Sequence, residues 1–281
     1  MSKLQLDKLK VKIFADGADK TTMLEMYAKS HIHGLTTNPT LMRKSGITDY
    51  KKFCLDILQS IKDKPLSFEV FSDDFKEMER QALEIASWGD NIYVKIPITN
   101  TKKETCYSLV KTLSNQGVKL NVTALMTMDQ VQNVVDHLNP DIASYISIFA
   151  GRIADTGRDP IPMMQEALQI MKTQPLPELI WASPRELLNV FQAHDIGCHI
   201  ITVTSDILKK LNLIGYDLEE YHRLGLMGRV ARRMRNLNIK TFITGLVNGL
   251  KIIHENNILH SDIKPANILI NMNVEPYPIP V

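Results

Sequence analysis

Lys95 is the residue in this chain most ready to do chemistry. It stands in Tyr93-Val94-Lys95-Ile96-Pro97, a run with little else polar in it. Two readings of such a lysine are open. Its ammonium can snorkel to the end of a strand or pair with a carboxylate. Alternatively, burial can lower its pKa, so that the neutral amine attacks a ketone and forms a Schiff base. Glu69 lies in a comparable apolar run, Leu66–Phe71, and Asp16 directly follows another, Val11–Ala15. One isolated carboxylate there reads as a salt-bridge partner, whereas two beside a buried lysine read as acid/base groups. Thr37, Asn38, Asn121, Thr123, Ser147, Arg152, Ser183 and Arg185 occupy equivalent places in or just after further runs. A guanidinium fork suits a phosphate dianion, and Arg152 and Arg185 follow adjacent runs, so the two could clamp one.

The elements that must position these groups follow from periodicity. Eight short, nearly continuous apolar runs read as strands covered on both faces: Val11–Ala15, Gly34–Thr37, Leu66–Phe71, Ile92–Pro97, Val118–Ala124, Tyr145–Phe149, Glu178–Ala182 and Cys198–Val203. Helical patterns fill the gaps. Asp49 to Ile61 sets Tyr50, Phe53, Ile57 and Ile61 on one face. Asp73 or Asp74 caps a stretch to Trp88 with Met78, Leu83 and Ile85 apolar. Thr127 to Leu138 offers Val131, Val134, Val135 and Leu138, and Ser183-Pro184 opens a further helix with proline in its first turn. Eight strands alternating with helices predict a (β/α)8 barrel, which needs roughly 250 residues and carries its chemistry at the C-terminal strand ends. A doubly wound open sheet would call for a glycine-rich first turn, and Asp16-Gly17-Ala18-Asp19 is not one.

On these residues the chain resembles transaldolase, a Schiff-base member of the class I aldolase barrels. The resemblance runs from Val11 to about Glu220 and is carried by IFADGAD, GLTTNPTLMRK, SFEVF, YVKIPIT, VKLNVTALM, SIFAGRIADTGRDP, WASPREL and HIITVT. It implies that Lys95 is the Schiff-base lysine and that Asp16 is the acid/base group for carbon–carbon cleavage. It implies that Glu69 and Thr123 handle the water of the carbinolamine steps. By the same resemblance Asn38, Asn121 and Ser147 bind sugar hydroxyls, Phe149 and Ser183 line the substrate, and Arg152 and Arg185 bind phosphate. The related fructose-6-phosphate aldolases carry Gln at the strand-3 acid and Tyr two residues after the strand-6 serine. Glu69 and Phe149 stand here, which favours transfer of a dihydroxyacetone unit between sugar phosphates over free aldol cleavage.

Composition excludes several other classes. Lys plus Arg is 33 and Asp plus Glu is 31, for a net charge of +2, too even for a dedicated nucleic-acid binder. Cys54, Cys106 and Cys198 form no CxxC pair, so neither a disulfide framework nor a thiolate metal site is expected. The histidines make no HExxH pattern, and the Schiff-base route calls for no metal or other cofactor. No segment reads as a signal peptide or a membrane span, which leads to the expectation of a cytoplasmic enzyme. The oligomeric state stays open, a homo-oligomer included.

The composition changes near Tyr221. Residues 222–281 carry a net +5, leaving −3 for residues 1–221, and the chain divides by this criterion into 1–221, the barrel, and 222–281, an atypical tail. Within the tail, Phe242 to Asn271 resembles the catalytic-loop region of a protein kinase, with His260, Asp262, Lys264, Pro265 and Asn267 on the H-x-D-x-K-P-x-N pattern. The glycine-rich loop, the strand lysine and its helix partner, DFG and APE have no counterpart, so kinase activity is not expected. The basic run Arg229 to Arg235 reads as the solvated face of a helix. Phe242, Leu246, Leu250 and Ile253 offer a substitute apolar stripe for the barrel's eighth helix, with strands 1 and 8 expected to be incompletely covered.

Overall fold

The computed structural model describes residues 6–225 together with 245, 247, 248, 250, 251, 255, 268–270 and 278–280. The Arg229–Arg235 run, the His260–Asn267 motif and most of the tail's apolar stripe lie outside the described residues. The chain divides into two compact units, Met1–Ile214 and Gly215–Val281.

The first unit is a closed barrel of eight parallel strands in sequential order, with β1 paired to β8. Its strands are β1 Lys12–Asp16, β2 Ile32–Thr36, β3 Leu66–Glu69, β4 Ile92–Pro97, β5 Leu120–Leu125, β6 Tyr145–Ile148, β7 Glu178–Trp181 and β8 Ile200–Thr204. Each expected apolar run contains its strand or overlaps it, with ends moved by one or two residues. Between them come α1 Lys20–Tyr27, α2 Pro39–Lys44, α3 Tyr50–Ser60, α4 Phe75–Ala86, α5 Tyr107–Asn115, α6 Met128–His137, α7 Ala150–Asp155, α8 Ile161–Met171, α9 Leu188–Asp195 and α10 Ser205–Leu208.

Short polar side chains start several of these helices. The side chains of Asp19, Asn38, Asp49, Asp74 and Thr127 accept from the backbone N–H three residues on, satisfying donors that a first turn leaves unpaired. At α6, Gln130 reaches back to Thr127 and completes a capping box. Val131, Val134, Val135 and Leu138 are all buried, as the periodicity predicts. Leu83 is a correction: it lies on the outer side of α4 and is 41% exposed, while Met78, Ala82 and Ile85 carry the buried stripe.

A second correction concerns Ser183-Pro184, which does not open a helix. Ser183 takes a left-handed φ of 56°, and the amide oxygen of Asn189 accepts from the N–H groups of Arg185 and Glu186. The helix therefore begins only at Leu188. A third correction concerns coverage. Ile13 and Ala15 of β1 and Ile201 and Val203 of β8 are all buried. The short α10 packs on both strands, and with the 3-10 turn Lys209–Leu213 it buries Ile207, Leu208 and Leu211.

Alternate residues of each strand face opposite ways, and here they build two cores. Outward-facing Leu35, Phe68, Val94, Val122, Ile146, Leu179 and Ile201 pack with the helices. Inside the barrel Phe14, Tyr145, Ile180 and Ile200 make a second cluster, joined by Tyr93. Tyr93 stacks on Tyr145 at 3.9 Å, and Phe14 meets Tyr145 edge-on at 5.7 Å. Gly34 is glycine because a Cβ there would lie 2.6 Å from the Phe14 ring.

In the second unit, residues 218–225 are helical, and β9 Ile268–Ile270 pairs antiparallel with β10 Pro278–Pro280. Among the described residues no helix is long and apolar enough to cross a membrane.

Candidate active site

The aromatic plug is the floor of the site. Two residues beyond Phe14, Gly34, Tyr93, Tyr145, Ile180 and Ile200, on the same face of each strand, come Asp16, Thr36, Lys95, Ser147, Ala182 and Thr202. The period of two that places an aromatic in the barrel thus places a polar group above it. These six, with Asn38, Glu69, Asn121, Thr123, Phe149, Arg152, Ser183 and Arg185, line one cavity of about 570 Å³ at the C-terminal mouth. All eleven residues singled out as catalytic or substrate-binding come together in it.

Lys95 is 9% exposed. Its Nζ lies 3.2 Å from Glu69 Oε2 and donates to the Thr37 carbonyl at 3.2 Å. Register makes this contact: Lys95 is paired with Glu69 on one side and Asn121 on the other. Burial pushes the Asp16 carboxyl above the usual carboxylate range, while the positive charge of Lys95 and a hydrogen bond from Thr36 at 2.8 Å pull the other way. The Ser147 hydroxyl donates to Asn121 Oδ1 at 2.7 Å, and Asn121 Nδ2 donates to Ser67 Oγ at 3.0 Å. With its proton so used, Ser147 presents its oxygen to the cavity as an acceptor. Asn38 Oδ1 accepts from Leu41 N at 3.0 Å in capping α2, so its amide nitrogen is the group left to bind.

The outer cavity is positive. Arg152 lies against the Phe149 ring, 4.6 Å from its centroid. Arg185 forms a two-pronged pair with Asp155 of α7, its Nε 2.9 Å from Oδ1 and its Nη2 on Oδ2. Lys44 of α2 also lines the cavity, so four cationic groups face two carboxylates.

Two of the three non-glycine residues with positive φ among the described ones, Ala124 at 68° and Ser183 at 56°, line this cavity. Such backbone costs of order 1–3 kcal/mol and gathers where function demands it. Gly151 supports the second: a Cβ on it would fall 1.5 Å from the Ser183 carbonyl oxygen, so only glycine lets α7 approach that turn.

Other nucleophiles and ligands are elsewhere. The three cysteines are buried, with thiols pushed up to about 12 by burial. His31-Ile32-His33 is a histidine pair with ligand spacing, at the opposite end of β2. Among the described residues no group of three or more His, Cys, Asp or Glu side chains is placed to hold a metal. Sequence reasoning passed over Thr36, Thr202 and Lys44. The first two could have been found from the alternation that marks Lys95, and Lys44 only from the path of α2.

The fold and site together define a (β/α)8 barrel with a buried lysine–carboxylate centre at its C-terminal mouth. The model of the transaldolase/fructose-6-phosphate aldolase family matches residues 13–245, and the chain belongs to that family. The match extends past the composition break at His222. A probable transaldolase of Methanococcus maripaludis (strain C5) is 34% identical over 205 residues, 72% of this chain and 89% of the relative. One of Thermoanaerobacter sp. (strain X514) is 35% identical over 202 residues, again 72% and 89%. A third, of Dehalococcoides mccartyi, is 33% identical over 202 residues, 72% and 90%. Among solved structures, KGPDC from Streptococcus mutans aligns with a TM-score of 0.51 at 9% identity over 72% of this chain and 91% of that one. That likeness is one of fold.

Proposed function

We propose that the protein is a transaldolase that moves a dihydroxyacetone unit from a ketose phosphate to an aldose phosphate through a Schiff base on Lys95. The observation that carries this reading is the buried Lys95 Nζ, 3.2 Å from Glu69 and in one cavity with Asp16. Its neutral amine adds to the ketone carbon, and the ketone oxygen becomes the hydroxyl of a carbinolamine. Glu69, with Thr123 and a water, supplies the proton with which that hydroxyl leaves as water. The protonated imine then acts as electron sink. Asp16 takes the proton of the fourth-carbon hydroxyl, the bond between carbons three and four breaks, and its electron pair enters the imine to give an enamine. The aldose phosphate departs, an acceptor aldehyde enters, and the steps run in reverse.

Glu69 and Phe149, rather than Gln and Tyr, favour transfer over simple aldol cleavage. The excess of cations around the outer cavity suits phosphorylated sugars. Three neutral donors or acceptors, Asn38, Asn121 and Ser147, suit the sugar hydroxyls.

Borohydride trapping tests this. Incubation with fructose 6-phosphate and borohydride should fix a dihydroxyacetone adduct on Lys95. Lys95→Met should keep the fold, lose the adduct and lower turnover by several orders of magnitude. Adding erythrose 4-phosphate should yield sedoheptulose 7-phosphate. An adduct on another lysine would refute the assignment of Lys95, and fast release of dihydroxyacetone without acceptor would make the enzyme an aldolase.

A further inference from the structure

Asp16 is not held by Thr36 alone. Thr36 Oγ1 lies 2.8 Å from Asp16 Oδ1 and 2.7 Å from Thr202 Oγ1. A threonine hydroxyl has one proton to give. With that of Thr36 directed at the carboxylate, the short contact to Thr202 is a hydrogen bond only if Thr202 is its donor. The order is therefore Thr202 to Thr36 to Asp16, across β8, β2 and β1, and all three side chains line the cavity.

We propose that Thr202 is a positioning residue, which through the Thr36 hydroxyl keeps a proton aimed at Asp16 and so stabilises this half-buried carboxyl in its ionised form. The inference rests on Asp16 being the base of carbon–carbon cleavage. A donor that is itself hydrogen-bonded is a stronger donor, by about a tenth to a third per bond. Burial opposes ionisation here, which is where such strengthening is most useful. The charged groups facing Asp16 are Lys95 from β4 and Glu69 from β3, with Lys44, Arg152 and Arg185 on the outer wall of the cavity. Asp19, which caps α1, Lys20 of α1 and Asp206 of α10 are engaged elsewhere, with Thr22, Asp56 and Lys209 respectively. From its two strand neighbours, β2 and β8, Asp16 thus receives support from hydroxyls.

The test compares wild type, Thr202→Val and Thr202→Ser, each carrying carboxyl-labelled aspartate. Two quantities are followed: the titration of the Asp16 carboxyl by carbon NMR, and the acid limb of kcat against pH. Removing the hydroxyl should move both midpoints up by about half a pH unit, and serine, which restores it, should return both. A midpoint that stays in place or moves down in Thr202→Val overturns the inference. Thr202→Ala removes the same hydroxyl with less bulk and replaces the valine variant if that one does not fold. Absence of the Lys95 adduct in wild type would instead overturn the transaldolase reading, and the NMR titration would still decide the part of Thr202.

Discussion

In the proposed reaction Asp16 serves catalysis at the expense of stability. Its folded pKa is raised above the unfolded value, chiefly by burial. The stability it contributes is thus whole below the ordinary carboxylate range and is lost as pH rises through the folded value. At neutral pH the ionised carboxyl is a net cost to the fold. Asp16→Asn keeps the shape and cannot ionise, so at pH 7 it should unfold at higher denaturant, by roughly 1 kcal/mol, while sugar transfer falls by orders of magnitude. The gain should shrink as pH is lowered towards 4. A variant less stable than wild type at pH 7 would mean that the buried charge is not what strains this site. Lys95 belongs to the same scale. Its ion pair with Glu69 is only 11% and 18% exposed, so Lys95→Met, which leaves Glu69 and Asp16 without their cation, should keep the fold at a cost in stability.

Among the elements, the strand–helix connections at the C-terminal mouth carry the constraint. The turn after β7 must present Ser183 and Arg185 to the cavity, and it does so with left-handed backbone at Ser183 and with α7 pressed against it at Gly151. Gly151→Ala puts a methyl carbon where the Ser183 carbonyl now is, and backbone rather than a flexible side chain has to yield. A loss of 2 kcal/mol or more is expected, with KM for phosphorylated sugars raised because Arg185 moves with the turn. Thr127→Ala is the contrast. It removes the capping box of α6 and should cost about 1 kcal/mol with kcat/KM unchanged. Equal kinetic damage in the two variants, followed by thermal unfolding and initial rates, would contradict the distinction between a cap and a site-forming contact.

On the scale of the whole molecule, the barrel closes through β1 and β8, and the groups proposed as catalytic all belong to the unit Met1–Ile214. The tail's kinase-like residues should therefore be silent: Asp262→Ala and Asn267→Ala are expected to leave sugar transfer unchanged, and the intact protein to show no ATP-dependent phosphorylation. A phosphotransferase activity lost in Asp262→Ala would require a second active centre. Much of the architecture was legible beforehand, because strands buried on both faces are written as apolar runs and helices as stripes with a capping residue in front. Lys95, Glu69 and Asp16 stood out for the same reason: a charge inside an apolar run is costly enough to ask for a function. Ser183-Pro184 misled because proline suits both a first helical turn and an irregular one, and the side chain of Asn189 decided between them. Strands 1 and 8 were expected to lack cover because a long helix was sought, whereas the short α10 packs on both and their outward residues are buried. Local pattern, which depends only on near neighbours in the chain, thus determined the barrel and the identity of its lysine–carboxylate centre. Tertiary structure alone decided which polar groups touch: the chain from Thr202 through Thr36 to Asp16, the grip of Asp155 on Arg185 and the place of Lys44. These join residues 20 to 166 positions apart, and only the closing of the barrel fixes their distances.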